Sequence, residues 1–299
     1  MRSWITRQRN LSYQKQIRLL LLPYLVGSVL LIAVPALATV AVAFTRYNAI
    51  QPPVWAGFDN FRRLIASPLV RLSLRNSLIF LSLAVPLRLL GALAFALLLR
   101  PRRKLYGLYR ASIYLPTIIP EAAYALLWLW ILNPFYGPLN ALLGVLRLPA
   151  PAWLVEPGTA QLAMVIISVF QIGEGFVVLM AGLRKIPRSI YESAQVDGAT
   201  AWHSFWKITL PLLAPWLLLL TFRDLIVSLQ NTFTPSFVLT YGGPYYATTY
   251  VPLLVYEIAF DFFDLGLAAA LLVLVYLVIA LAVLGTLNLI GLRGDASDV

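Results

Sequence analysis

Six long apolar runs, separated by short polar stretches, set the pattern of this chain; they lie at about 19–45, 76–99, 112–133, 159–183, 208–229 and 265–291. Each is about the 20 residues that a helix needs to cross the hydrocarbon core of a bilayer. No stretch between the runs is long enough for a separate globular domain. The expected organisation is a basic N-terminus at 1–18, a six-span domain at 19–291 and a tail at 292–299. The expected fold is all-α and polytopic, because a chain in lipid satisfies its backbone polar groups internally. The first run follows a basic segment and contains Ala36-Leu37-Ala38, as a cleavable signal does. It continues to Phe44, beyond a typical signal core, and reads as a retained span.

The most informative polar interruption is 187–211. Ser189 followed by Glu192 has capping-box spacing, with Pro187 just before it, and predicts a helix to about Asp197. Gly198 suits a turn that needs positive φ. Trp202, Phe205, Trp206 and Ile208 then recur at helical spacing, and Leu210-Pro211 reads as the start of the fifth span. The prediction is two short helices along the membrane surface joined at a glycine bend. Residues 58–65 read as another short interfacial helix.

Composition agrees with a membrane domain: 61% of the residues are hydrophobic, 12% are charged, and mean hydropathy is +0.82. A net charge of +11 suggests nucleic acid until its placement is considered. Arg2, Arg7, Arg9, Lys15 and Arg18 precede the first span. Arg100, Arg102, Arg103, Lys104 and Arg110 follow the second, and Arg184, Lys185, Arg188 and Lys207 lie between the fourth and fifth. The loop before the last span carries Glu257, Asp261 and Asp264 with no Lys or Arg. The positive-inside rule therefore places both termini and the two basic loops in the cytoplasm. The 46–75 loop, with Arg46, Arg62, Arg63, Arg71 and Arg75 against Asp59, goes against the rule and is assigned outside because three loops outweigh one. The partner implied by the charge is a lipid membrane, not nucleic acid. Cysteine is absent, and His203 is the sole histidine, so no ligand set for a metal is visible. No catalytic constellation and no Gly-x4-Gly-Lys-Ser/Thr phosphate loop occurs.

Charges inside spans are costly and point to function by default. Arg88, Glu121, Glu174, Arg223 and Asp224 are such residues. Arg223 and Asp224 are adjacent, point to different helix faces and are expected to pair poorly with each other. Arg88 and Glu121 read best as interhelical hydrogen-bonding groups. For Gln171 and Glu174, a solute pathway and interhelical bonding remain equal alternatives. Gln230, Asn231 and Thr232 end the fifth span and offer amide and hydroxyl groups of the kind that suits sugar hydroxyls.

The run Glu192-Ser193-Ala194-x-x-Asp197-Gly198-Ala199-x5-Phe205-x-x-Ile208-x-Leu210-Pro211 resembles the "EAA" motif of permease subunits of bacterial and archaeal ATP-binding-cassette importers, with Ser193 where alanine is usual. Gly57-Phe58-x-Asn60-Phe61, Leu239-Thr240-x-Gly242-Gly243-Pro244 and Phe260-x-Phe262-Phe263-x-Leu265-Gly266 resemble elements of the carbohydrate-uptake branch, similar to the first permease chain of maltose and glycerol-phosphate importers. The resemblance covers nearly the whole chain, and its elements occur in the right order.

It implies a multi-pass subunit in the cytoplasmic (inner) membrane. The implied partners are a second homologous permease, two ATP-binding subunits and an extracytoplasmic solute-binding protein. It implies no cofactor on this chain, with ATP and Mg used by the partner ATPase, and hence no enzymatic activity here. Glu192, Ala194, Asp197, Gly198, Ala199 and Phe205 would form the surface that couples to the ATPase. Glu192 would pair with a basic group there, or else only complete the helix cap; Asp197 would support the turn. Trp202, Phe205 and Trp206 would fill an ATPase cleft or pack under the spans. In the related maltose permease the 230–232 region contributes to solute contact, and Gly242, Gly243 and Pro244 belong to an external loop. Tyr241, Tyr245 and Tyr246 are interface aromatics or part of that loop's gate. The solute implied is a sugar, a polyol or a glycerol phosphate. An ion-gradient-driven secondary transporter, with Glu174 as proton relay, is the alternative.

Overall fold

The computed structural model describes residues 13–99 and 106–294. The basic residues Arg2, Arg7, Arg9, Arg100, Arg102, Arg103 and Lys104, and the end of the tail, lie outside these. Among the described residues the architecture is helical apart from one two-stranded antiparallel hairpin, Thr45–Arg46 against Val54–Trp55. Four helices are long and apolar enough to cross a membrane unaided: α1 (Ile17–Ala43), α3 (Pro68–Leu98), α10 (Ala201–Thr240) and the last, α12, whose apolar stretch is Leu265–Gly285. The short helix α2 (Asp59–Ala66) matches the expected interfacial helix.

The third and fourth expected spans differ from prediction, because each is a bent pair. Helices α4 (Tyr106–Ile118) and α5 (Glu121–Ile131) meet at 102°, and α7 (Pro157–Val169) and α8 (Gly173–Lys185) meet at 43°. At the first break Pro120 is extended, with ψ 135°, and has no N–H to continue the helix. Counting each pair as one span gives six. Helix α6 (Pro138–Val145) lies between them, and α9 (Arg188–Val196) and α11 (Val251–Tyr256) complete the set.

The described residues fall into two compact units. The first contains 13–66 together with Ile258–Val278. Its joint is Asn60, fully buried, whose Nδ2 donates to the Ala43 and Thr45 carbonyls at 2.9 and 2.8 Å. These carbonyls lie at and just beyond the end of α1, where helix geometry leaves acceptors unpaired. Phe44 packs on Trp55, Phe58 and Phe61 around the same point. A Cβ at Gly266 would collide with the Thr45 carbonyl, so this close approach requires glycine. Two of the sequence elements singled out above thus meet as one scaffold. Arg63 pairs with Asp264 at 2.8 Å, and Arg46 with Asp59 at 2.8 Å. The Arg46 hydrogen bond, helped by the charges of Arg46, Arg63 and Arg62, holds the Asp59 carboxyl below its usual value against an opposing desolvation.

The second unit contains Ser67–Glu257 and the chain from Ile279. Here α3 packs against α7, α8 and α10, and α8 also packs against α4 and α10. One apolar core gathers Phe80, Tyr124, Trp128, Leu132, Ile167 and Tyr250. A second gathers Leu93, Phe176, Leu179, Leu183, Leu213 and Leu220.

Candidate functional site: a bent helical arm and a polar pocket within the spans

The 187–211 segment forms a bent arm, built differently from the expected one. Helix α9 starts at Arg188, directly after an extended Pro187 at ψ 140°, so Ser189 is already helical and makes no cap. Instead the Ser193 hydroxyl donates to the Ser189 carbonyl. The capping-box role of Glu192 is therefore corrected: Glu192 is exposed and has no side-chain hydrogen bond or ion pair among the described residues. Gly198 turns the chain at φ +79°, a conformation that Cβ-bearing residues adopt only with strain. Thr200 caps the second arm by accepting from the His203 N–H at 3.2 Å.

That second arm is not a separate short helix. It runs through a π-helical turn at Phe205–Thr209 straight into the fifth span, making the 40-residue helix α10. The turn is anchored by a 2.9 Å hydrogen bond between the Tyr191 and Thr209 hydroxyls, which ties α9 to α10. The aromatic trio divides: Phe205 packs inward on the second core, while Trp202 and Trp206 are 71% and 48% exposed. Ala194, Asp197, Gly198 and Ala199 line a notch between the two arms, with His203 and Lys207 on its other wall.

Within the spans, charges of alternating sign form a chain. Glu174 on α8 is ion-paired with Arg223 on α10. Arg223 also reaches back to its neighbour Asp224, donating to Oδ1 at 2.9 Å, which corrects the expectation that these two would pair poorly. Adjacent residues diverge at Cβ, but the long arginine stem spans the difference. Asp224 Oδ2 lies 3.7 Å from Arg88 Nε, with both side chains buried. Arg88 donates to the Ser228 hydroxyl at 2.9 Å and to the Gln171 carbonyl at 3.4 Å, and its Nε has no hydrogen-bond partner.

Arg88 and Ser228 belong to the wall of a pocket that also includes Ser168, Gln171, Asn231 and Thr232. The structure thus brings three of the sequence-selected pathway residues together. Gln230 is exposed, and Glu174 is engaged by Arg223; neither lines the pocket. Glu121 accepts a hydrogen bond from Thr234 at 2.9 Å. Sequence reasoning missed Ser168, Ser228, Phe80 and Tyr250. For Ser228 a signal existed, since Asp224, Ser228 and Asn231 recur at helical spacing as a polar stripe on an apolar helix.

The segment 241–250 carries Tyr250 into the wall of this pocket. Gly243 precedes Pro244 through a cis peptide bond, and the Gly242 and Gly243 carbonyls accept from the Thr249 and Thr248 hydroxyls. Tyr241, Tyr245 and Tyr246 are 50%, 88% and 56% exposed. No group of three or more metal-ligating side chains occurs among the described residues.

Residues 63–292 match the family of binding-protein-dependent transport system inner membrane components. The probable ABC transporter permease protein YesP of Bacillus subtilis (strain 168) is 33% identical over 270 residues, covering 88% of this chain and 86% of that protein. The trehalose/maltose transport system permease protein MalF of Thermococcus litoralis is 33% identical over 262 residues, with coverages of 87% and 85%. The crystal structure of a bacterial ABC transporter involved in the import of the acidic polysaccharide alginate has a chain of the same fold. It superposes with a TM-score of 0.79 at 23% identity, covering 92% of this chain and 94% of that one. The chain belongs to this inner-membrane family and is a multi-pass permease subunit of an ATP-binding-cassette transport system.

Proposed function

We propose that this chain is the sugar-handling permease of an ATP-driven, binding-protein-dependent importer. A second, similar permease chain completes the translocation unit. Two ATP-binding subunits receive the arms of the two permeases, the 187–207 arm being this chain's, and an extracytoplasmic binding protein delivers the solute. ATP and Mg are used by the ATPase; this chain is non-catalytic. Both termini and the arm face the cytoplasm, as the basic loops require. The assembly is bistable: nucleotide biases which side the pathway opens to, by binding one state better than the other.

The observation that carries this reading is the construction of the arm. Glu192 is exposed and does not cap its helix, and Trp202 and Trp206 lie mostly in the open. Yet the arm is fixed to the fifth span through one continuous helix and the Tyr191–Thr209 bond. A force applied at the notch formed by Ala194, Asp197, Gly198 and Ala199 is therefore carried into the helix that bears Asp224, Ser228 and Asn231. Glu192 pairs with a basic group of the ATPase, and Phe205 seats the arm from inside.

Gln171, Asn231 and Thr232 supply amide and hydroxyl groups for a hydroxylated solute. The guanidinium of Arg88 is already balanced by Asp224, which favours an uncharged sugar or polyol over a glycerol phosphate. Gln230, at the exposed end of that helix turn, and the Gly242-Gly243-Pro244 loop face the delivery side. Glu174 is engaged by Arg223 and does not suit a proton relay.

The test is purification of the tagged chain from its native membranes in mild detergent, with mass spectrometry of what accompanies it. A second six-span chain and an ATPase are the expected companions. Recovery of this chain alone, with vesicle uptake that follows a proton or sodium gradient and ignores ATP, would overturn the reading.

A further inference from the structure

Arg110 stands one turn into α4, and Arg184 and Lys185 close the last turn of α8, just before Pro187. The helices α4 and α8 pack against each other, one starting and the other ending at the membrane surface that borders the 187–211 arm. None of these three cations has an ion pair among the described residues, whereas Arg46, Arg63, Arg88 and Arg223 each face a carboxylate.

The three are nevertheless held in place. Arg184 donates to the Tyr106 hydroxyl at 2.8 Å. Arg110 lies over the ring of the same tyrosine, 5.5 Å from its centre. Lys185 lies over the Trp216 ring of α10 at 5.1 Å. Tyr106 packs against the second apolar core, so the ring that gathers the two guanidiniums is itself anchored. Two like charges collected around one ring, with no carboxylate between them, repel each other unless an anion joins them. Each guanidinium presents a planar fork of N–H groups that matches phosphate oxygens.

Below this cationic head the surface is apolar. Arg184, Ala181 and Val177 are all exposed and share one face of α8 at helical spacing. On α4, Tyr114 follows Arg110 by one turn and is 37% exposed. The two helices close on each other at the foot of this face, where a Cβ on Gly173 would stand 2.8 Å from the Tyr114 Cα. From Gly173 to Arg184 is about 16 Å of helix, roughly half the thickness of the hydrocarbon core. The seam is thus one leaflet deep, cationic at the surface and apolar beneath.

We infer that the seam between α4 and α8 binds an anionic phospholipid, with its phosphate between Arg110 and Arg184 and an acyl chain along Ala181 and Val177. The head alone would suit any phosphate; the apolar face beneath it assigns the site to a lipid. Basic pockets between membrane helices hold anionic headgroups in this way. Lys185 adds charge at the rim. The lipid stands at the root of the arm, because Pro187 follows Arg184 by three residues. The inference makes no use of the solute pathway and holds whichever solute is carried.

The experiment uses the assembled transporter in phosphatidylcholine nanodiscs doped with a phosphatidylglycerol that carries a photoactivatable diazirine in its acyl chain. Cross-linked peptides are mapped by mass spectrometry. Label is expected on α4 between Tyr106 and Tyr114 and on α8 between Val177 and Lys185. Added phosphatidylglycerol should displace it; added phosphatidylcholine or inorganic phosphate should not. A phosphatidylcholine probe with the same acyl chain should label the seam at least about fivefold less.

Arg110→Gln and Arg184→Gln should each weaken labelling of the seam about fivefold, the equivalent of about 1 kcal/mol per basic group at a membrane surface. Tyr106→Phe, which frees Arg184 but keeps the ring under Arg110, should fall between these variants and wild type. Arg71→Gln, at an exposed arginine elsewhere on the chain, should change nothing. Arg184 is exposed, so its glutamine variant carries the test even where Arg110→Gln fails to assemble.

Equal labelling by the two probes, or unchanged labelling of Arg184→Gln, would reduce the cluster to ordinary basic residues at helix ends. Displacement by inorganic phosphate would make the site one for a dissolved ion. Label that appears only after the ATP-binding subunits are stripped away would make the cluster a protein-docking face. Each of these results overturns the lipid site and leaves the importer reading untouched.

Discussion

The arm at 187–211 and the charge chain around Arg88 use polar residues in opposite ways. On the arm, Glu192 is exposed and makes no ion pair among the described residues, and the turn at Gly198 borders an open notch. In the spans, Arg88 and Asp224 are 7% and 4% exposed, and nearly every donor is spoken for. The arm leaves its polar side chains on the surface, as the proposed docking of an ATPase requires. The charge chain is complete within one chain, apart from the Arg88 Nε that borders the pocket. Substitutions should therefore act on assembly and coupling in the first region, and on folding in the second.

The largest effect should come from Asp224→Ala. It leaves Arg88 buried without its countercharge, which typically costs about 3–5 kcal/mol. The expected outcome is loss of the folded chain from the membrane, read as steady-state level and as thermal unfolding in detergent. Replacing both partners, as Arg88→Met with Asp224→Leu, should recover much of the level. If the double variant is as poorly folded as the single one, the ion pair is not what the site requires.

Glu192→Lys should do the reverse. Chain level and unfolding temperature stay at wild-type values, while ATP-dependent uptake falls at least about tenfold, since like charges across an interface cost several kcal/mol. Normal uptake would remove Glu192 from the coupling surface. Gly198→Ala is milder: a non-glycine residue at φ +79° costs about 1–2 kcal/mol locally. Because the cost falls on the bend of the arm, uptake should drop more than chain level, and equal drops would argue for a purely structural turn.

The smallest effect sharpens the contrast between buried and exposed charge. Arg46 and Asp59 are closer, at 2.8 Å, than Arg88 and Asp224 at 3.7 Å, but Arg46 is 70% exposed. Asp59 has a depressed carboxyl pKa in the folded protein. Its contribution is therefore present above the ordinary carboxylate range and lost as pH falls through the folded value. Asp59→Asn should lower the unfolding temperature slightly at pH 7, and the two proteins should converge at acidic pH. A gap that persists at low pH would mean that the carboxylate charge is not the stabilising feature.

Much of the fold was legible because it is local. Apolar runs of bilayer length and a glycine bend depend on residues a few positions apart, and these expectations match the helices observed. The capping box failed because an extended Pro187 started the helix two residues early. The predicted separation of the second arm from the fifth span failed because a π-helical turn carried the helix through. The Asn60 and Gly266 elements were visible as motifs, but their job was not: they meet at the Thr45 carbonyl from about two hundred positions apart.

The sequence by itself determined that this chain spans a membrane, that a polar arm interrupts the spans, and that its motifs belong to a permease. These follow from hydropathy and short-range spacing, which the bilayer reads along the chain. Only the tertiary structure decided which charges pair and which polar side chains meet. Arg88 meets Ser228 across 140 positions and Asn76 holds the Thr249 carbonyl across 173. Burial makes such meetings energetically decisive, because a polar group removed from water must find its partner wherever the packing of other helices brings one.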